Sequence, residues 1–165
     1  MIRKNNNSIL LLFVSILVIL VASCNPAKKL DKEETDSITD YLNRNSNLNF
    51  VLKPSGLYYL EVVEGSGVIP VKNDTAYIKY TGKLLDGTVF DSNIETTDTL
   101  IIPVDEGWLI SGVDEGITYM REGGKSLLLI PSKLAYGPTG YYYIPGYTPL
   151  LFDLELVRVK PGAGK

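Results

Sequence analysis

Residues 77–92 read YIKYTGKLLDGTVFDS, and the alternation along this stretch decides the architecture. Ala76, Ile78 and Tyr80 fall on one side of an extended strand, while Tyr77, Lys79 and Thr81 fall on the other. Gly82 through Gly87, containing Asp86-Gly87, predicts a turn, after which Val89-Phe90 resumes an apolar pattern. Working outward, residues 57–64 alternate imperfectly around Tyr58, Leu60 and Val62 and stop at Gly65-Ser66-Gly67. Residues 100–104 are the next apolar piece, and Lys125–Ile130 is an apolar strand stopped by Pro131. In residues 150–159, Leu150, Phe152, Leu154 and Leu156 alternate against Leu151, Asp153, Glu155 and Val157. Leu109, Ile110, Val113 and Ile117 have the spacing of a short helix lying over a sheet, although Gly112 and Gly116 weaken it. A curved antiparallel β-sheet wrapped around one short α-helix buries these faces most economically, which places the chain in the α+β class.

The first residues carry a different pattern. Arg3 and Lys4 precede residues 9–22, fourteen positions of which only Ser15 is polar. As a helix this run reaches about 21 Å, short of the roughly 30 Å apolar thickness of a bilayer, and suits a secretory signal core. Val21-Ala22-Ser23-Cys24 resembles the lipobox of a bacterial lipoprotein, which implies cleavage of 1–23 and acylation of Cys24. Such a chain is expected in the cell envelope, lipid-anchored outside the cytoplasm, in the inner or the outer membrane. The single cysteine cannot form an internal disulfide, and acylation accounts for it.

Removing residues 1–23 from the 165 leaves 142, enough for one domain. Residues 24–53 are expected to hold the lipidated cysteine and a spacer, polar at first, with a short helix over 35–48 marked by Ile38, Tyr41, Leu42 and Leu48. Residues 54–160 then form the folded domain, with 161–165 as a tail. The full chain carries 16 basic and 19 acidic residues, net −3, and shows no basic footprint for nucleic acid. With no histidine and one committed cysteine, the common zinc, haem and thiol or histidine nucleophile arrangements lack their parts. Neither an alternating oxygen-ligand calcium loop nor a glycine-rich lysine-serine phosphate loop is present. No cofactor and no metal are expected.

Four blocks, in order, carry a family resemblance. They are residues 77–92; Val113-Asp114-Glu115-Gly116 leading through Met120 and Gly123-Gly124 to Pro131; Leu134-Ala135-Tyr136-Gly137; and Ile144-Pro145 followed by residues 149–156. Together they resemble the FK506-binding type of peptidyl-prolyl cis-trans isomerase, from about Gly56 to Lys160. The resemblance implies a five- or six-stranded sheet round a short helix with an apolar pocket between them. It also implies proline-containing unfolded or extended polypeptides as partners, a macrolide as a further ligand, and turnover without a cofactor. A monomer is expected.

By pattern alone Phe90, Ile110 and Phe152 read as core packing. The register of the resemblance moves them, with Tyr80, Asp91 and Tyr136, to the catalytic pocket, where Tyr136 would donate to the substrate carbonyl and Tyr80 would pair with Asp91. Leu100, Leu109, Val113, Tyr141, Tyr142 and Ile144 are implied substrate contacts, the last three from a loop overhanging the pocket. Leu100 stands where an aromatic is common, and Val113 where a tryptophan usually forms the floor. Trp108 does not replace that floor residue, because an offset of five positions turns a helical side chain by roughly 140°. Val113 therefore keeps a second reading open, a module of the same fold that binds peptide or protein with little turnover. A structural or adhesive lipoprotein is a more distant alternative.

Overall fold

A computed structural model describes residues 26–162. The expected signal segment 1–23 and Cys24 lie outside the described residues. Helix α1 (Pro26–Arg44) leads to seven strands: β1 (Val51–Leu52), β2 (Tyr58–Val63), β3 (Thr75–Leu84), β4 (Val89–Ser92), β5 (Leu100–Pro103), β6 (Lys125–Ile130) and β7 (Leu150–Lys160). Helix α2 (Ser111–Ile117) lies between β5 and β6, and a 3-10 turn (Ser132–Leu134) follows β6. The sheet is antiparallel in the order β1-β2-β6-β7-β3-β4, with β5 also on β3. The sheet has one short strand more than the resemblance implies.

Strand β3 is the organiser. One edge pairs with β7 from Thr75 to Leu84, while the other is shared, with β5 along Thr75 to Ile78 and β4 along Thr81 to Lys83. Asn93 bridges the gap: its side chain accepts from the Tyr80 N–H at 2.7 Å and donates to the Ile78 carbonyl at 3.1 Å. The expected parity holds, with Ala76 and Ile78 buried and Tyr80 on the same face. The turn is shorter than expected, because Gly82 stays in the strand and the chain reverses only at Asp86-Gly87. There Asp86 accepts from the Thr88 N–H at 2.8 Å and Gly87 takes φ +92°, a left-handed value suited to glycine.

The inner face of the sheet packs Ala76, Ile78, Leu128, Ile130, Leu154 and Leu156 against Val113 and Ile117 of α2. Gly112 and Gly116 weaken the helix by propensity, yet they let it approach β6. A Cβ on Gly112 would stand 2.4 Å from Ile130 Cγ2, and one on Gly116 would stand 2.4 Å from Leu128 Cδ1. In β7 the alternation runs from Leu150 to Leu156 and then slips at a bulge. Val159 therefore turns inward against Ala76 while Val157 is exposed.

Two expectations are corrected here. At β2 it is Leu57, just before the strand, and Tyr59 that enter the main core, while Tyr58 faces the opposite side and Val62 is exposed. Both faces of the sheet are covered at this end, so apolar residues occupy both parities and the inward set cannot be told from alternation. Helix α1 covers Pro26–Arg44 among the described residues and ends at Arg44, instead of spanning 35–48. The polar segment taken for a tether is exposed helix surface laced by Lys29–Glu33 and Lys32–Asp36 pairs. Asn45 closes the helix by donating from its side chain to the Tyr41 carbonyl at 2.8 Å.

Helix α1 lies on the outer face of the sheet. Ile38 meets Leu129 and Leu151 there, flanked by Tyr41, Leu42, Phe50 and Tyr58. Burying Ile38 contributes roughly 1.5–3 kcal/mol, the kind of tertiary support a polar helix of this length needs. Among the described residues no helix is long and apolar enough to cross a membrane.

Candidate functional site

A cleft of about 500 Å³ opens between α2 and the inner face of the sheet. All six residues expected to form the catalytic pocket line it: Tyr80 from β3, Phe90 and Asp91 from β4, Ile110 before α2, Tyr136 after the 3-10 turn, and Phe152 from β7. Leu100, Leu109, Val113 and Tyr141 line it too. Val113, 3% exposed, and Ile78, 1% exposed, close its deep end.

The walls are aromatic. Phe152 meets Phe90 edge-on at 5.7 Å and lies tilted to Tyr80 at 6.1 Å. Gly82 makes this possible, since a Cβ there would fall 2.6 Å from the Phe90 ring and 3.1 Å from Phe152 Cζ. Its sequence signal was an isolated glycine inside a strand pattern, which marks close approach as readily as a turn. The loop before α2 is held by buried Asp114, which accepts from the Gly107 N–H at 2.8 Å and the Asp105 N–H at 3.2 Å. Those bonds set the loop that carries Trp108, Leu109 and Ile110 along the cleft.

Two tyrosines and one carboxylate supply polarity. The Tyr80 hydroxyl donates to Asp91 Oδ2 at 2.7 Å. Burial first, and then this hydrogen bond, push the Tyr80 phenol up to about 12. Tyr136 is also pushed up, chiefly by burial and further by Tyr141 and Asp91. Both phenols are therefore neutral donors near neutral pH. Tyr80 is already committed to Asp91, whereas the Tyr136 hydroxyl has no protein partner among the described residues and can donate to a ligand. The ring of Tyr136 is fixed by stacking on Tyr141 at 4.9 Å.

Tyr142 and Ile144 are not brought to the main cleft. They line a smaller hollow of about 190 Å³ beside it, together with Phe90, Asp91, Tyr136, Tyr141 and Tyr143. Ile144 is drawn into the core at 5% exposure, and Tyr142 projects outward at 88% with φ +49°. The loop closes on itself through paired Tyr141 and Ile144 backbone bonds, which turns Ile144 inward and Tyr142 out. Tyr143, not singled out in the sequence, ties the loop to β4 by donating from its hydroxyl to the Phe90 carbonyl at 2.8 Å. Trp108, set aside as a floor residue, lies along the cleft with 69% of its surface exposed. Ser111 and Ala135 are further lining residues that residue type alone did not reveal.

Comparison with known proteins gives concordant results. A family model described as FKBP-type peptidyl-prolyl cis-trans isomerase matches residues 67–157. The macrophage infectivity potentiator of Trypanosoma cruzi is 44% identical over 111 residues, covering 66% of this chain and 56% of that protein. An FK506-binding protein of Neisseria meningitidis serogroup B is 41% identical over 105 residues, covering 63% of this chain and 96% of that one. The chain thus spans about half the length of the Trypanosoma relative and nearly all of the Neisseria one. Among solved structures, a peptidyl-prolyl cis-trans isomerase from Pseudomonas syringae pv. tomato superposes with a TM-score of 0.70 at 28% identity. That superposition covers 84% of this chain and 99% of the other.

Proposed function

Because this chain belongs to the FKBP-type peptidyl-prolyl cis-trans isomerase family, we propose that it turns Xaa-Pro bonds of unfolded or extended polypeptides in the cleft below Tyr80, Phe90 and Tyr136. The observation that carries the proposal is the convergence of six side chains from three strands and two loops on one hollow walled by aromatic and aliphatic side chains. A peptide bond resists rotation because nitrogen donates its lone pair into the carbonyl, with a barrier near 18–20 kcal/mol. An Xaa-Pro bond still takes tens of seconds or longer to isomerise unaided.

When the amide twists, conjugation is lost, the carbonyl oxygen carries less charge and the nitrogen becomes more basic. Such a group sits better than a planar amide against aromatic walls. Only this difference between the twisted and the planar state speeds the reaction. A preference of about 4 kcal/mol is roughly a thousandfold. Phe90, Phe152, Ile110 and Val113 exclude water, the Tyr136 hydroxyl orients the carbonyl, and Asp91 holds Tyr80 in place. No proton transfer is required, so Asp91 orients the wall and does not act as a base.

The test is exchange between cis and trans forms of a short Xaa-Pro peptide. The wild-type chain should accelerate it, and combined Phe90→Ala and Tyr136→Phe changes should abolish the acceleration in a folded sample. Relaxation at the spontaneous rate with the wild-type chain would overturn the proposal. A macrolide ligand is expected in the same cleft as a competitor of the peptide. Val113 supports a second reading, a peptide-binding module with little turnover, because it leaves the floor without an aromatic face. Peptide binding without acceleration would favour that reading.

The proposal also takes the protein to be a monomer tethered through lipidated Cys24 outside the cytoplasm, assisting folding there. Its support is the basic tip, the apolar run over 9–22 and Val21-Ala22-Ser23-Cys24. Labelled palmitate should enter the wild-type chain and not Cys24→Ala. Equal labelling of both would remove the anchor.

A further inference from the structure

Helix α1 lies outside the matched stretch 67–157, yet one of its carboxylates bonds to the turn that leads into the Tyr136 loop behind the cleft. Glu34 precedes Ile38 by one helical turn and shares its sheet-facing side. Its Oε2 accepts from the Ser132 hydroxyl at 2.7 Å, and its Oε1 accepts from the Ser132 N–H at 2.5 Å. Ser132, 98 residues away in sequence, is 4% exposed and opens the 3-10 turn. Its carbonyl in turn accepts from the N–H groups of Ala135 and Gly137, both at 2.8 Å. Those two residues flank Tyr136. One buried serine therefore connects the carboxylate of α1 to both sides of the residue whose hydroxyl faces the cleft.

We infer that Glu34 is a positioning residue for Tyr136, and that α1 clamps the loop presenting this hydroxyl. An ionised carboxylate makes stronger hydrogen bonds than a neutral acceptor, and both of its oxygens are engaged here. Without it, the Ser132 N–H and hydroxyl are left without their acceptor beneath the loop, and the Ser132 carbonyl is no longer held in place. Ser111 ties the same loop to α2 by donating to the Leu134 carbonyl at 3.2 Å, so the loop is gripped from two sides. A small displacement of an orienting donor is enough to slow a reaction that depends on alignment.

The kinetic part of this inference rests on the isomerase reading, and its structural part does not. In the full chain, Glu34→Ala should lower kcat on an Xaa-Pro peptide about tenfold with KM little changed. Glu34→Gln, which keeps one acceptor oxygen, should lose less, and Lys32→Ala on the exposed side of α1 should lose nothing. Adding Glu34→Ala to Tyr136→Phe should cost no further rate, since both act through one hydroxyl. Amide exchange at Gly137 should accelerate in Glu34→Ala while amides of the β3–β7 pair keep their protection. Ser132→Ala, which removes only the hydroxyl contact, should reproduce a smaller share of both effects.

Full additivity with Tyr136→Phe, or unchanged exchange at Gly137, overturns the clamp. A wild-type chain that is inactive on the peptide while Gly137 still responds to Glu34→Ala removes the isomerase reading and supports the clamp.

Discussion

Gly82 and Phe90 face each other across the β3–β4 pair with no room for even a methyl group between them: a Cβ on Gly82 would lie 2.6 Å from the Phe90 ring. Gly82→Ala is therefore expected to push Phe90 toward the cleft and away from its edge-on contact with Phe152. Overpacking of this kind costs about 1–3 kcal/mol. Urea unfolding should show that loss, and kcat/KM on a proline peptide should fall with it. Unchanged activity would mean that the Phe90 position is not critical.

Tyr80 and Asp91 make a pH prediction. The folded phenol, at about 12, lies above its ordinary value of 10.0, so folding favours the neutral, donating form. That contribution is whole below a pH of about 10, where the unfolded phenol is still protonated, and it is lost as pH rises from there through about 12. Asp91→Ala removes both the hydrogen bond and the carboxylate charge and leaves burial, so Tyr80 should ionise earlier than in the wild type yet above the ordinary value. Tyrosinate absorbance, referenced to Tyr80→Phe, checks this. Asp91→Ala should lower kcat/KM by roughly three- to tenfold, the worth of one oriented hydrogen bond. A complete loss of rate together with an acid limb in the pH profile would make Asp91 a base instead.

Val113 sets the depth of the cleft. Val113→Trp is expected to raise kcat/KM on a short proline peptide by adding an aromatic face and excluding water at the floor. Overpacking against the core should lower stability by about 1–3 kcal/mol at the same time. Turnover unchanged in a folded variant would show that the floor residue does not limit the rate.

The strands were readable where one face of the sheet is inner and the other partly wet. Ala76, Ile78 and Tyr80 alternate with Tyr77, Lys79 and Thr81 because only the first set faces α2. The same rule failed in β2, where α1 covers the outer face and Tyr58 is wanted there as much as Leu57 and Tyr59 are wanted inside. Helix α1 was misplaced because Pro26 and a run of charges read equally well as a tether. The docking of Ile38 and Glu34 onto residues far along the chain is invisible to any local window. Motif register indicated the pocket residues, whereas Gly82, Trp108 and Tyr143 have roles that appear only once β4 and the loops are folded over β3.

Alternation, turn residues and the order of four motif blocks were enough to determine the curved sheet, its single crossing helix and the family. Period-two burial and turn geometry are local properties, written residue by residue. Only the tertiary structure decided that the amino-terminal helix closes on the loop of Tyr136, that Ile144 turns inward while Tyr142 turns out, and that Trp108 borders the cleft. Each of these depends on contacts between distant segments, whose direction is set by packing and not by the residues on either side.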